Sequence, residues 1–346
     1  MAVTPAPLDR RSVLRLAALS LLAVGCRGAG DDPRVPAPSA APPAPTPTRP
    51  RAGASLQPVA GYAPLPGEQL PNLKQAAADF VQTLATRAPG QRPEDLLAAV
   101  SGLLVPGFAA DAALRAAAPL FAEQVAVGEV VYPQLSGLLP LGPGARQAGV
   151  MVVVRQLFRT SGGSTSQVVR VCDVRLTVVQ GEWRVSELVS AGGEPVDRPA
   201  GLDPAVAAVL DDPRIELPDT CRWDVHSGGV SPDLLAVLAS AAAVAPVAVT
   251  VMRNGHPLNV FGTSRVSDHT QGRAVDLWRV GGEPVVGTGA TVGPARPVLA
   301  AAAADRRTLQ TGSPPGSDLD GPGRRSFTDL VHHDHLHLAV GAVANG

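Results

Sequence analysis

Ser267-Asp268-His269-Thr270-Gln271-Gly272-Arg273-Ala274-Val275-Asp276, answered much later by Asp334-His335-Leu336-His337, are the two stretches on which the reading of this chain turns. They spell S-x-H-x-x-G-x-A-x-D and D-H-x-H. A catalytic zinc takes three nitrogen or oxygen ligands from the protein and leaves a fourth position to water. His269, Asp276 and His337 are residues of that kind. Val275 and Leu277 alternate with Asp276 and Trp278, which predicts a strand with two unlike faces. His335-Leu336-His337-Leu338 alternates in the same way, so the two histidines share a face while the leucines turn to the core. His269 precedes the first strand in polar sequence, and Gly272 allows the backbone to fold it back over Asp276. Ser267 is suited either to hydrogen-bond near the metal or to form the turn.

The two-part motif resembles that of the zinc D-alanyl-D-alanine carboxypeptidases, D,D-dipeptidases and penicillin-insensitive murein endopeptidases, the LAS group, over roughly the last third of the chain. The resemblance implies Zn²⁺ held by His269, Asp276 and His337, with His335 or Asp334 handling protons. It implies hydrolysis of D,D- or L,D-peptide bonds in the stem peptides of cell-wall peptidoglycan. The pattern departs from the family at two points. Asp334 stands where an E-x-x-H pattern has glutamate. Arg253, in Met252-Arg253-Asn254-Gly255, is the nearest counterpart of the family's substrate-carboxylate arginine. A second reading is a lipid-anchored, non-catalytic module that binds cell wall or protein and retains a zinc site.

Residues 1–25 read as a targeting segment. Asp9-Arg10-Arg11-Ser12-Val13-Leu14-Arg15 resembles a twin-arginine export signal, and the apolar run after it ends in Leu22-Ala23-Val24-Gly25-Cys26, which resembles a lipobox. That resemblance implies a lipid on Cys26, holding the protein to the membrane on its extracytoplasmic face. A plain secretory peptide with an incidental cysteine is the alternative. Residues 26–65 are dense in Pro, Ala and Thr and read as an extended tether.

Length bounds the remainder to about two domains. A net charge of −1 gives no electrostatic basis for nucleic-acid binding. Lys74 is the only lysine, which fits coding bias in an arginine- and alanine-rich chain. Residues 66–190 predict helices from Asn72, Pro93 and Ala110. Four strand-like runs separated by Ser161-Gly162-Gly163 and Gln180-Gly181 follow, giving an α+β domain with no visible chemistry and no identified protein partner. Residues 191–217 read as a connection. Residues 218–346 read as a zinc-peptidase-like α+β domain with a small antiparallel sheet, opened by a helix capped at Ser231-Pro232-Asp233 and including a second helix from Pro297 to Leu309. His256 reads as an ordinary loop residue, and His332 and His333 as residues beside the site or on the surface. Cys172 and Cys221 fit either a disulfide in an oxidising compartment or two separate buried thiols.

Overall fold

Leu73, Ala77, Phe80, Val81 and Leu84 recur at helical spacing and form the buried face of α1 (Pro71–Ala85). In this computed structural model, which describes residues 56–142, 144–160, 162–286, 293–317, 319 and 325–341, α1 starts on Pro71 without a side-chain cap. Proline stands at the first helical position, where a missing N–H costs nothing, so the helix begins one residue before the expected start at Asn72. The segment read as an export signal, Cys26 and most of the expected tether lie outside the described residues. No helix of the described residues is long and apolar enough to cross a membrane.

Two shorter helices follow, α2 (Pro93–Ala99) and α3 (Ala110–Ala116). Then come four long strands: β1 (Ala126–Leu139), β2 (Gln147–Arg159), β3 (Thr165–Val179) and β4 (Glu182–Ser190). Each pairs antiparallel with the next, giving a meander in sequence order. One face of this sheet packs on α1 through Val150, Val152, Val154, Cys172 and Val174.

The segment expected to be a plain connection carries α4 (Pro204–Asp211), whose first turn is capped by Asp203 accepting from the Ala205 amide at 2.7 Å, and β5 (Ile215–Glu216). Next come α5 (Asp219–His226), α6 (Pro232–Val244), β6 (Val247–Val251), β7 (Ala274–Val280) and β8 (Glu283–Pro284). The described chain ends with α7 (Ala295–Ala304), β9 (Thr308–Ser313), β10 (Ser326–Thr328) and β11 (Leu336–Val340). The helix expected to reach Leu309 therefore stops at Ala304, and Thr308 begins a strand. Ser231 precedes α6 but makes no side-chain cap, and its hydroxyl has no partner among the described residues.

These strands form a mixed sheet in the order β10-β9-β11-β7-β6-β5, with β8 added to β7. β7 and β11 are antiparallel, and their register sets His337 directly opposite Asp276. Val275, Leu277, Leu336 and Leu338 point the other way, into a core closed by α6 and α7. The α+β class follows from this pairing of helix layers with two sheets.

The described residues belong to one compact unit. The face of the mixed sheet that bears Asp276 meets the four-stranded sheet. Tyr132 stacks on Trp278 with ring centres 4.7 Å apart, and Val251 packs with Met151, Val153 and Val171. The disulfide is not formed: Cys172 and Cys221 are free, buried thiols. Strand alternation explains this. Val171 packs against Val251 on the face turned to the mixed sheet, so Cys172 turns into the core under α1, while Cys221 lies in the other core.

Candidate metal centre

Three local structures bring the titratable side chains together. The first is the turn between Ser267 and Arg273. The Gly272 amide donates to the His269 carbonyl at 2.8 Å, and Gly272 adopts φ 67°. A side chain there would meet the Gly229 carbonyl oxygen, 1.9 Å from an added Cβ. Ser267 is buried and its Oγ accepts from the His269 amide at 3.3 Å, a turn contact that holds the histidine backbone. The second is the β7–β11 ladder, which pairs Asp276 with His337. The third is the short 3₁₀ turn Val331–Asp334, which leads into His335.

His269, Asp276 and His337 converge. His269 Nε2 lies 3.2 Å from His337 Nδ1 and 3.2 Å from Asp276 Oδ1, and His337 Nδ1 lies 2.9 Å from the same oxygen. His269 Nδ1 donates to the Met252 carbonyl at 2.8 Å, which leaves Nε2 as the lone-pair nitrogen facing the cluster. His256 joins from a loop read as ordinary. It offers one donor atom that lies, with those of His269 and Asp276, in a group able to hold a metal ion, all within 4.8 Å of one another. Its ring stacks on that of His269 with centres 4.0 Å apart and planes 14° from parallel, and its Nδ1 is tied to the Pro257 carbonyl at 2.8 Å.

His335 and Asp334 sit on the inner side. His335 Nδ1 donates to Asp334 Oδ1 at 2.7 Å, and its Nε2 is 3.6 Å from Asp276 Oδ2. Asp334 does not reach the cluster itself. Its Oδ2 is held by the Lys74 ammonium at 2.6 Å and by the Leu135 amide at 3.1 Å. Lys74 also pairs with Glu68 at 2.7 Å, and Glu68 accepts from the Tyr62 hydroxyl at 2.7 Å. The side chains of Lys74, Glu68 and Asp334 have no exposed surface. The other carboxylate oxygen of the cluster is also engaged from the first sheet. Gln134 of β1 donates through Nε2 to Asp276 Oδ2 at 2.6 Å.

Burial and charge act against each other here. Burial would raise the Asp276 carboxyl, but the His269 and His335 rings hold it well below the usual carboxylate range. Burial opposes charge at Asp334 too, and Lys74 outweighs it, so that carboxyl is also lowered. Burial pushes His337 down to about 4 against the pull of Asp276, and it pushes His256 well below the ordinary histidine value. For His335 burial also works downward, yet Asp276 and Asp334 together raise it. A pair of anions is therefore fixed at the centre, with neutral rings of His337 and His256 on its outer side.

His337 keeps 13 % of its side-chain surface exposed, against 2 % for His269, Asp276 and His335, so access is from the β11 side. His332 stands beside this opening, 4.8 Å from the His335 ring centre, with its Nδ1 on Asp329 at 2.7 Å. His333 points away and accepts from the Gln69 amide at 3.2 Å. Arg253 lies outside the cluster: its Nε donates to the Thr270 carbonyl at 3.2 Å, and no carboxylate holds its side chain among the described residues. A cleft of about 640 Å³ between β3, β4 and residues 257–263 contains none of the clustered groups.

The sequence signal was strong for the motif residues and weak for their supports. Lys74 is no by-product of coding bias in the fold, because it carries the buried ion pairs behind His335. Its place on the apolar stripe of α1, next to Leu73 and one turn before Ala77 and Ala78, is the signal that marks it. Gln134 is a lone amide inside the apolar run of β1, and buried amides need partners. His256 has no local pattern that distinguishes it. Compared with known proteins, the chain matches no family model and no curated sequence.

Proposed function

We propose that this protein is a zinc-dependent peptidase that hydrolyses D,D- or L,D-peptide bonds in peptidoglycan stems. The observation that supports the metal is the triangle of His269 Nε2, His337 Nδ1 and Asp276 Oδ1, with edges of 3.2, 2.9 and 3.2 Å, while the substrate class rests on the resemblance of the two motif stretches. Donors at about 2.0–2.1 Å from a tetrahedral centre stand about 3.3 Å apart, so the three atoms suit one zinc ion. Two imidazoles and a carboxylate are also the donor set that zinc favours. The stacked geometry argues for His337 over His256 as the third ligand. An imidazole binds along its in-plane lone pair, and two stacked rings hold their lone pairs in separate, near-parallel planes, so the His256 nitrogens would not point where His269 Nε2 points.

When bound, zinc supplies Lewis-acid polarisation of a carbonyl and a more acidic water. The chain supplies the rest. His335 is oriented by Asp334, with Nδ1–H on the carboxylate and Nε2 towards Asp276. From that position it takes up a proton from the attacking water or stabilises the developing oxyanion. Asp334 holds the ring and does not touch the reacting groups. Arg253, exposed beside the Thr270 turn, is the side chain available for a substrate carboxylate. The lipid on Cys26 and the tether would keep the domain within reach of the cell wall.

Purified, zinc-loaded protein should release fragments from muropeptides, and His269→Ala should abolish release. Release that persists in His269→Ala rejects the hydrolytic reading. Tight zinc binding with no turnover of any muropeptide favours the non-catalytic module instead.

A further inference from the structure

The amide of Gln134 sits in an unusual balance. It is fully buried on β1, in the sheet that does not carry the motif. Its nitrogen donates to Asp276 Oδ2 at 2.6 Å, while its Oε1 has no hydrogen-bond partner among the described residues. An unpaired buried acceptor is costly, and an apolar side chain of the same size would not incur that cost. The carboxylate dictates the orientation, because the amide oxygen would repel Asp276 and only the NH₂ end can face it. The consequence falls on the other oxygen. With Oδ2 held by Gln134, Oδ1 is the one turned to His269 Nε2 and His337 Nδ1.

We propose that Gln134 is a positioning residue of the metal centre, fixing Asp276 so that it offers Oδ1 alone to the ion. This rests on the zinc reading above, and it adds that the four-stranded sheet is part of the site. Partners that orient a ligating group in this way change metal affinity by about 10- to 100-fold when removed. β1 contributes twice, since the next residue, Leu135, gives its amide to Asp334.

The test compares the full chain with its Gln134→Met variant, which conserves volume and removes the donor. Zinc affinity is measured by competition with a chromophoric chelator, and the visible spectrum is recorded with cobalt(II) in place of zinc. Neither readout needs turnover, so a failure to cleave muropeptides leaves the inference standing. Gln134→Met should weaken zinc by about 10- to 100-fold and lower the cobalt absorption, as a freed carboxylate grips through both oxygens. Val152→Ala, which opens the core on the far face of the same sheet, should lower thermal stability and leave both readouts unchanged. Unaltered affinity and spectrum in Gln134→Met would overturn the inference. So would an equal loss in Val152→Ala, since the effect would then be general loosening. Absence of zinc binding by the wild type would overturn this and the metal reading together.

Discussion

Lys74 has two carboxylates within 2.7 Å and no contact with solvent. Lys74→Met would leave Glu68 and Asp334 buried without a cation, and removing one partner of a buried pair costs about 3–5 kcal/mol. Urea unfolding of the metal-free variant should show a loss of that size; a loss below about 1 kcal/mol, the range of an exposed pair, would mean the pair is solvated. His337 yields a prediction in pH. Its value in the fold is lowered to about 4 from the ordinary 6.5, first by burial. Well above pH 6.5 the ring is neutral in folded and unfolded chains alike, and it costs nothing. As pH falls from about 6.5 to about 4 the unfolded chain takes up the proton first, and stability is lost. The gap corresponds to about 3 kcal/mol. Relative to His337→Asn, the metal-free wild type should lose this much across that window and then level off. Parallel curves would refute it. The residues of the two motif stretches were legible because the local spacing and alternation within each stretch set its polar side chains apart. Gln134 and Lys74 were not, since what they touch is decided by how one sheet meets another.

At the scale of elements, the turn from Ser267 to Arg273 sets the distance between His269 and Asp276. Gly272 makes it feasible, with positive φ and the Gly229 carbonyl in the space a side chain would need. Gly272→Ala should cost about 3 kcal/mol or more and, on the proposed function, weaken zinc binding along with it. Equilibrium unfolding and a chelator titration would check both, and an unchanged zinc affinity would separate the turn from the site. The alternation Ala274–Val280 and Leu336–Val340 was readable because each strand has one core face and one polar face. Their register is a tertiary fact, and so is the pairing of His337 with Asp276. Short pieces were misread where local signals compete. Ser231 looks like a cap but makes no cap bond. The alanine run after Ala295 reads as a helix to Leu309, yet β9 takes Thr308 into the ladder with β11.

Among the described residues the two largest apolar cores meet at a seam that carries buried polar contacts. Leu84 belongs to the core under the four-stranded sheet and Leu234 to that under the mixed sheet. The seam joins them through Lys74–Asp334, Gln134–Asp276 and the Tyr132–Trp278 stack. Opening it would strand buried charges, so the described part should melt in a single calorimetric transition. Leu84→Ala and Leu234→Ala, each costing about 2–5 kcal/mol, should both move that same transition; two separately moving transitions would show independent halves. The sequence suggested an α+β middle section without chemistry. What it hid was that this section reaches the His–Asp cluster through Gln134, because such contacts carry no periodicity. The seam also makes a natural reporter. An endoproteinase that cuts only after lysine has a single site in this chain, and the fold keeps that bond's side chain wholly out of reach. Appearance of two fragments would thus time the parting of α1 from Asp334 and the histidine strand, with no label attached.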